Sequence, residues 1–293
     1  MAKFTILVIL FAGTSVFARQ NASFAQPAKP DTLKKDTINI WVPSMITSLN
    51  VSQIAFSNWT QGGSNSLSWT VMAKAGYDFK GEIWSLQNHG TLQYGRTKLG
   101  SQGSITTDNE ILLENVLTYH IGWAADPFFS NTIISTLAQG YDYGKNPPLP
   151  TANFFDPGYV TQSLGFSYNK LSNFTTRLGI ASQEIFTNKY RQYTNDPGDT
   201  SGLKAFKEEA GLESVTQAKV TIADNILLTT GLRLFTRFKD LSVWDVRWDN
   251  VIVAKVNSFI NVNFNYQLVY QKDQSLTTQM KEGLQLGITY IIF

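Results

Sequence analysis

The chain has 293 residues, a formal net charge of +2 and no cysteine. A charge balance this close to zero argues against nucleic acid as a partner. The absence of cysteine excludes disulfides, thiol catalysis and lipid attachment at a cysteine. Only 16% of the residues are charged while 13% are aromatic, a composition that favours a protein embedded in a membrane.

The first 25 residues predict a secretory signal peptide. Lys3 precedes an apolar run over residues 4–12, and small residues lead up to Ala18 and to Ala25, which is the layout of such a peptide. The run is well short of the roughly 20 residues that a spanning helix needs. We expect cleavage after Ala18 or Ala25, followed by a flexible periplasmic lead-in over residues 26–48.

From Leu49 onward the dominant hydrophobic period is two, and long helical patterns are absent. In residues 260–270, apolar side chains alternate with three asparagines and a glutamine. One such strand fits a soluble sandwich, where the apolar face forms the core. It also fits a membrane barrel, where the apolar face meets lipid and the amides line the lumen.

The alternation recurs along the chain and predicts about 12 strands, an even number that a closed single-chain barrel requires. These segments are residues 49–56, 67–79, 82–98, 111–123, 129–143, 159–171, 174–187, 207–223, 226–238, 243–256, 260–270 and 278–293.

The links between the predicted strands alternate in length. Short links with turn-forming residues fall at 80–81, 169–173, 223–225 and 257–258, and longer polar links fall at 97–109, 144–158, 187–204 and 271–277. Outer-membrane barrels have this arrangement, with short periplasmic turns, longer external loops and periplasmic termini. The segment 123–130 is longer than the rule predicts. We therefore predict an all-β fold, a closed antiparallel up-and-down transmembrane β-barrel over residues 49–293.

The final strand is predicted to close this barrel. Its apolar face consists of alternate residues from Leu284 to Ile292, and the chain ends on Phe293. A terminal aromatic strand of this kind is expected to contact the barrel-assembly machinery, although Phe293 is one step out of register with that face. The partners expected of the barrel are this machinery, outer-membrane lipid and a small solute.

Charged and histidine side chains on the polar face of the strands are candidates for lining the lumen. They are Lys74, His89, Glu114, His120, Arg177, Glu213, Lys219, Arg233, Arg237, Asp245 and Arg247, with Glu209 beside them. In an open pore they would set ion preference, whereas in a narrow barrel they would pair across the lumen and close it. Three of the arginines, Arg233, Arg237 and Arg247, could form an anion-attracting patch. Mutual pairing is the favoured interpretation.

The two histidines offer the main route to chemistry. His89 and His120 lie on neighbouring predicted strands, and with Glu114 they could bind a metal or transfer protons. The favoured interpretation is that they belong to a polar lumen network, with no metal and no cofactor. A barrel phospholipase is the enzymatic alternative, but His89 lacks the serine two residues on that such a motif would show. We expect no enzymatic activity.

The segment from Asn58 to Ser68 is the most distinctive internal stretch. It predicts a hairpin in which Gly62 and Gly63 supply positive φ. This stretch and the strands that follow resemble a family of exported proteins of Bacteroidetes-type bacteria, labelled domain of unknown function 3078. The matching residues are Trp59, Gly62, Gly63, Asn65, Ser66, Leu67, Trp84, Asn88, Leu92, Tyr94 and Gly95. The resemblance covers the first third of the chain. It implies an outer-membrane β-barrel and brings no activity, substrate or functional residues.

The sequence thus favours a non-enzymatic outer-membrane barrel, either a narrow passive pore for small solutes or a structural envelope barrel. One alternative is a binding barrel that holds a ligand or partner through residues 144–158 and 187–204. The other is a lipid hydrolase. A soluble all-β sandwich is the main structural rival.

Overall fold

The computed structural model describes residues 39–57, 63–101, 103–195 and 202–292. The predicted signal peptide, most of the lead-in, Trp59, Gly62 and Phe293 lie outside these ranges. Within the ranges, no helix is both long and apolar enough to cross a membrane.

Twelve strands form one closed antiparallel barrel in the order β1-β14-β13-β12-β11-β10-β9-β8-β5-β4-β3-β2, and β6 pairs with β7 in a separate small hairpin. The predicted fold class is therefore confirmed. The strands are β1 Ile40–Ile54, β2 Ser66–Lys80, β3 Trp84–Leu99, β4 Ile105–Tyr119, β5 Asp126–Ser135, β6 Gly140–Asp142, β7 Leu149–Ala152, β8 Gly158–Leu171, β9 Phe174–Phe186, β10 Phe206–Ala223, β11 Ile226–Arg237, β12 Asp240–Lys255, β13 Ile260–Tyr270 and β14 Gln279–Ile291.

The barrel is polar inside and apolar outside, the reverse of a soluble protein. Among the described residues, 32 buried side chains are polar or charged and only 10 are hydrophobic. On β13, Asn261 and Asn265 are buried while Ile260 and Phe264 are exposed. A soluble sandwich would place the amides in water and the apolar face in its core. The observed orientation is that of a transmembrane barrel, whose apolar face meets lipid.

The links fall at two ends of the barrel, which we call the turn end and the loop end. The turn end carries the links over residues 81–83, 120–125, 172–173, 224–225 and 256–259. The loop end carries those over residues 55–65, 100–104, 136–157, 187–205, 238–239 and 271–278. The predicted alternation of link lengths is present in part. The 238–239 link is short for the loop end, and the 120–125 link at the turn end is longer than the 100–104 link at the loop end.

Three predicted strands differ from the structure by more than three residues at an end. β4 begins at Ile105 rather than Ile111, because residues 106–110 are all polar and resemble a link. The first strand begins at Ile40 rather than Leu49, because Pro43 and Ser44 interrupt the alternation there and hide its N-terminal half. The predicted strand over residues 129–143 is divided: β5 covers Asp126–Ser135, and the later part turns away to pair with β7. The link predicted over residues 123–130 covers residues 120–125 in the structure and is still longer than the other turn-end links.

Six residue pairs close the barrel between β1 and β14, from Ile46 opposite Ile291 to Val51 opposite Leu286. Every other ladder of the described barrel is longer. We call this short ladder the seam.

An amide cluster lies along the seam inside the barrel. Asn263 Nδ2 donates to Asn50 Oδ1 at 2.9 Å and to Asn261 Oδ1 at 2.7 Å, so the cluster joins β13 to β1 across β14. Gly287 on β14 makes room for it, since a Cβ there would lie 2.6 Å from Asn50 Oδ1.

Candidate functional site

A layer of ion pairs crosses the middle of the lumen. Glu114 on β4 accepts a hydrogen bond from Arg177 Nη2 on β9 at 2.8 Å, and Arg233 Nη2 on β11 lies 3.5 Å from the same carboxylate oxygen, Oε1. Arg233 Nη1 also donates to Glu213 Oε1 on β10 at 2.9 Å. Because β9 is three positions and β11 five positions from β4 around the barrel, these bonds join strands that are not neighbours and cross the interior.

Arg247 on β12 extends this layer towards the loop end. Its Nη2 donates to Glu110 Oε2 on β4 at 2.9 Å, and its Nε donates to Asp249 Oδ2 at 3.0 Å. We call the seven residues of these bonds the central ion-pair layer: Glu110, Glu114, Arg177, Glu213, Arg233, Arg247 and Asp249. The Lys74 ammonium on β2 interacts electrostatically with Asp249, Glu110 and Lys219.

The layer can exist inside a barrel because each of its charges has an opposite charge within bonding distance. Removing ions from water is costly, and in a narrow lumen only close pairing compensates that cost. The carboxylates of Glu114, Glu213 and Asp249 are all buried. The pairing that the sequence favoured over an anion-attracting patch is thus present at Arg233 and Arg247. One cavity lies on the loop-end side of the layer and another on its turn-end side.

The loop-end cavity has a volume of about 440 Å³. Barrel residues such as Tyr159, Gln183 and Met280 line it together with Ala152 and Tyr193 from the loops. Parts of the links over residues 136–157 and 187–195 therefore lie over the lumen.

One carboxylate joins these two loops. Asp156 accepts hydrogen bonds from the backbone N–H groups of Asn188, Lys189 and Tyr190 at 2.9, 2.8 and 3.4 Å. Nearby, burial raises the pKa of the Tyr193 phenol, so the hydroxyl stays protonated.

A second group of ion pairs lies on the lumen wall at the loop end. Arg237 is bonded to Asp245 Oδ2 at 2.8 Å, to Asp273 Oδ2 at 2.8 Å and to Glu209 Oε2 at 2.5 Å, while Lys207 Nζ lies 2.8 Å from Asp273 Oδ1. Asp273 belongs to the link between β13 and β14. These ion pairs therefore connect that link to the barrel wall. Because Arg237 is paired with three carboxylates, it does not contribute to an anion-attracting patch.

The turn-end cavity has a volume of about 270 Å³ and contains His89 in its wall. His89 Nε2 lies 2.9 Å from Asp78 Oδ1. His120 lies in the link after β4 and has a different partner, Asp126 Oδ2 at 3.0 Å, which Lys170 also contacts at 2.8 Å. The two histidines thus belong to separate pairs, and Glu114 bonds arginines. Among the described residues, no group of three or more His, Cys, Asp or Glu is placed to hold a metal ion.

The structure distributes the predicted lumen residues over three levels. Glu114, Arg177, Glu213, Arg233 and Arg247 meet in the central layer; Arg237 and Asp245 lie at the loop end; His89 and His120 lie towards the turn end, with Lys74 and Lys219 half-buried on strands β2 and β10.

Several partners of these residues were missed from the sequence. Asp249 has the same strand parity as Arg247, so the alternation could have identified it. Glu110 falls just before the predicted start of its strand. Asp273 lies in a link, where strand parity gives no information.

The stretch that carries the family resemblance is partly described. Gly63 has a φ of 129°, which favours glycine, and a Cβ there would lie 2.7 Å from the Phe56 ring. Asn65 Oδ1 accepts a hydrogen bond from the Phe56 N–H at 2.6 Å. These contacts join the two described ends of the link from β1 to β2. Trp59 and Gly62 lie outside the described residues.

The fold and lumen define the class of protein, a closed membrane-spanning barrel of 12 antiparallel strands. Residues 51–141 match the model of a family described as Protein of unknown function (DUF3078), so the resemblance is confirmed over that part of the chain. No curated protein matches the chain.

Several solved structures are similar in fold. The translocator domain of autotransporter NalP from Neisseria meningitidis is 13% identical, with 88% of this chain and 90% of that chain covered and a TM-score of 0.36. An outer membrane channel from Pseudomonas putida F1 is 12% identical, with 89% and 99% covered and a TM-score of 0.38. The NanC porin is 9% identical, with 84% and 98% covered and a TM-score of 0.39.

Proposed function

We propose that this protein is a non-enzymatic outer-membrane barrel that works as a narrow pore for small polar solutes and is closed at mid-lumen in the conformation described here. The observation that carries the proposal is the arrangement of the lumen. Two cavities of about 440 and 270 Å³ lie on either side of the central ion-pair layer.

The barrier between the cavities consists of side chains, which can change rotamer without unfolding a strand. A barrel of about 12 strands is too narrow to keep a wide water-filled channel, which needs about 16. Its conduction is therefore limited to small solutes. Ion-pair rearrangement within the layer is the step that opens the path.

Planar-bilayer recording tests the pore. Wild-type protein is expected to give small stepwise currents, and E213A/R233A, which shortens two side chains of opposite charge in the central layer, is expected to give larger ones. The control K239A/E208A removes one charge of each sign from exposed loop-end positions and should conduct like wild type. Silence of both wild type and E213A/R233A at every salt and voltage would contradict the pore.

The outer-membrane location is part of the same proposal. It is supported by the apolar exterior, the predicted signal peptide and the predicted contact of the last strand with the assembly machinery. Cell fractionation and a gel-mobility shift on boiling test it, because a closed membrane barrel is expected to resist detergent until heated. Recovery in the soluble periplasmic fraction would contradict it.

Ligand binding at the loop end is a second candidate, favoured by the two links that lie in part over the larger cavity. Since the chain contains no cysteine, Q183C would carry a single thiol in that cavity. A bound ligand should slow the reaction of this thiol with a small maleimide. The same ligand should not slow labelling of a thiol in T175C at the other end.

A lipid hydrolase is the remaining hypothesis, and the pairing of both histidines with aspartates inside the barrel does not favour it. We expect H89Q and H120Q to leave lipid turnover unchanged in cells and in proteoliposomes. A loss of turnover in either variant would support the hydrolase instead.

A further inference from the structure

Two hydrogen-bond donors of Arg177 have no acceptor among the described residues. The side chain is 5% exposed, and its Nη2 donates to Glu114 Oε1 at 2.8 Å, while Nε and Nη1 make no hydrogen bond there. A buried N–H without an acceptor is costly, and native structures leave few of them. Both atoms are buried, and Arg177 is one of the residues that line the turn-end cavity, so this cavity is where an acceptor for these donors would lie.

The guanidinium is held in a fixed position. Its Cζ atom lies 5.5 Å from the ring centroid of Phe128, a buried side chain, and Glu114 holds its Nη2. The backbone of Arg177 is paired on both sides, with Ser167 on β8 and Val215 on β10. A cation fixed in this way loses little freedom when it binds a ligand, which favours binding.

The other groups around the cavity suit a small anion. Its wall is rich in hydroxyl and amide side chains, among them Thr118, Ser167 and Gln217, all three of them buried. Lys80 adds a second cation. The carboxylate in the wall, Asp78, already accepts hydrogen bonds at Oδ1 from the Asn88 N–H and interacts there with His89.

The size of the cavity limits the ligand. About 270 Å³ is below the roughly 300 to 1,000 Å³ of sites for drug-sized ligands. A phosphate ion or a short carboxylate fits this volume, and either presents several oxygen acceptors to arginine and hydroxyl donors.

We propose that the turn-end cavity is a binding site for a small oxyanion, either inorganic phosphate or a short dicarboxylate, with Arg177 as its principal ligand. This proposal rests on the proposed function in one respect: solutes must be able to enter the lumen from the turn end. It does not require that they pass the central ion-pair layer.

Isothermal titration of the full-length mature barrel in zwitterionic micelles tests the site, with inorganic phosphate, succinate and uncharged glycerol as separate probes. We expect phosphate or succinate to bind and glycerol not to bind, and the preferred probe distinguishes the two sources of the oxyanion. The double variant R177Q/E114Q leaves the net charge unchanged and is expected to weaken binding at least about tenfold, or about 1.4 kcal/mol.

Two further variants keep the test decisive. R191Q removes an arginine from the loop end, where its Nε bonds the Asn188 carbonyl, and should bind as wild type. K80Q changes an exposed residue in the wall of the same cavity and should weaken binding by about threefold. If R177Q/E114Q does not fold, the affinity of K80Q for the oxyanion tests the site. Absence of binding to wild type, or unchanged binding in the folded double variant, would overturn the site.

Failure of this proposal is distinguishable from failure of the pore. A barrel that conducts but binds neither oxyanion refutes the site alone. A barrel that binds phosphate through Arg177 but stays silent in bilayers refutes the pore alone.

Discussion

Arg247 and Glu110 are 137 positions apart in the chain, yet Arg247 Nη2 lies 2.9 Å from Glu110 Oε2. Their strands, β12 and β4, stand on different walls of the barrel, so the bond connects the walls through the lumen. The same bond narrows the passage and braces the sheet. Stability and closure therefore depend on the same side chains.

Replacing Arg247 by methionine is expected to lower the free energy of unfolding by about 3 kcal/mol, because Glu110 and Asp249 both lose their cationic partner in a narrow lumen. E110Q should cost only about 1 kcal/mol, since the Arg247–Asp249 pair survives. Urea unfolding in lipid vesicles measures both. The exposed variant K239A should stay within about 0.5 kcal/mol of wild type. An E110Q variant as stable as wild type would show that the pair across the lumen does not stabilise the barrel, whereas equal costs for R247M and E110Q would show that the Arg247–Asp249 pair adds nothing to it.

Replacing Gly287 by valine should weaken the seam, because a side chain at this position would displace the amides of Asn50 and Asn261. The expected result is a lower temperature for the gel-mobility change that accompanies unfolding. G103A is a suitable control, since a Cβ at Gly103 meets no atom within 4 Å. If G287V and wild type unfold at the same temperature, the amide cluster does not stabilise closure.

Replacing Asp156 by alanine should release the loop over residues 187–205 from the loop over residues 136–157. Three backbone N–H groups lose their acceptor, and proteolysis within the 187–205 loop is expected to accelerate about tenfold, or about 1.4 kcal/mol of local opening. The barrel itself should keep its gel mobility. The matched variant D142A loses a carboxylate that accepts a bond from Gly144 in the same loop, and it should leave the cleavage rate of the 187–205 loop unchanged.

Gly165 and Gly179 face each other across β8 and β9. A Cβ at Gly165 would lie 2.1 Å from the Leu178 carbonyl oxygen, so the two strands can approach only without a side chain there. We expect G165V to lower the yield of refolded, heat-modifiable barrel severalfold, whereas L164V, a change on the lipid-facing side, should refold normally. A normal yield of G165V would mean that the strands have room to separate.

The strand alternation was sufficient to predict the closed barrel, because lipid outside and polar lumen inside impose opposite demands on successive residues. It was insufficient where an element departs from that pattern. Pro43 hides the first half of β1, and the 140–142 segment alternates like a barrel strand yet pairs with β7.

The sequence could not predict which carboxylate pairs with which arginine in the lumen, and the reason is geometric. Which carboxylate meets Arg247 or Arg237 depends on the stagger of strands around a closed sheet. Strand parity shows that these arginines point inward, but it does not show at what height. Glu110 and Asp273 could therefore be assigned only once the register was known.

The short seam has a consequence for the order in which the molecule forms. The other barrel ladders join strands that follow one another along the chain, apart from the small β6–β7 insertion, so each can form as a hairpin with a small loop-closure cost. The ladder that pairs Ile46 with Ile291 joins the first barrel strand to the last. Its formation has the largest entropic cost of loop closure, yet it contains the fewest residue pairs. We therefore expect the β1–β14 ladder to form last, from an open sheet whose free edges at β1 and β14 could pair with another chain.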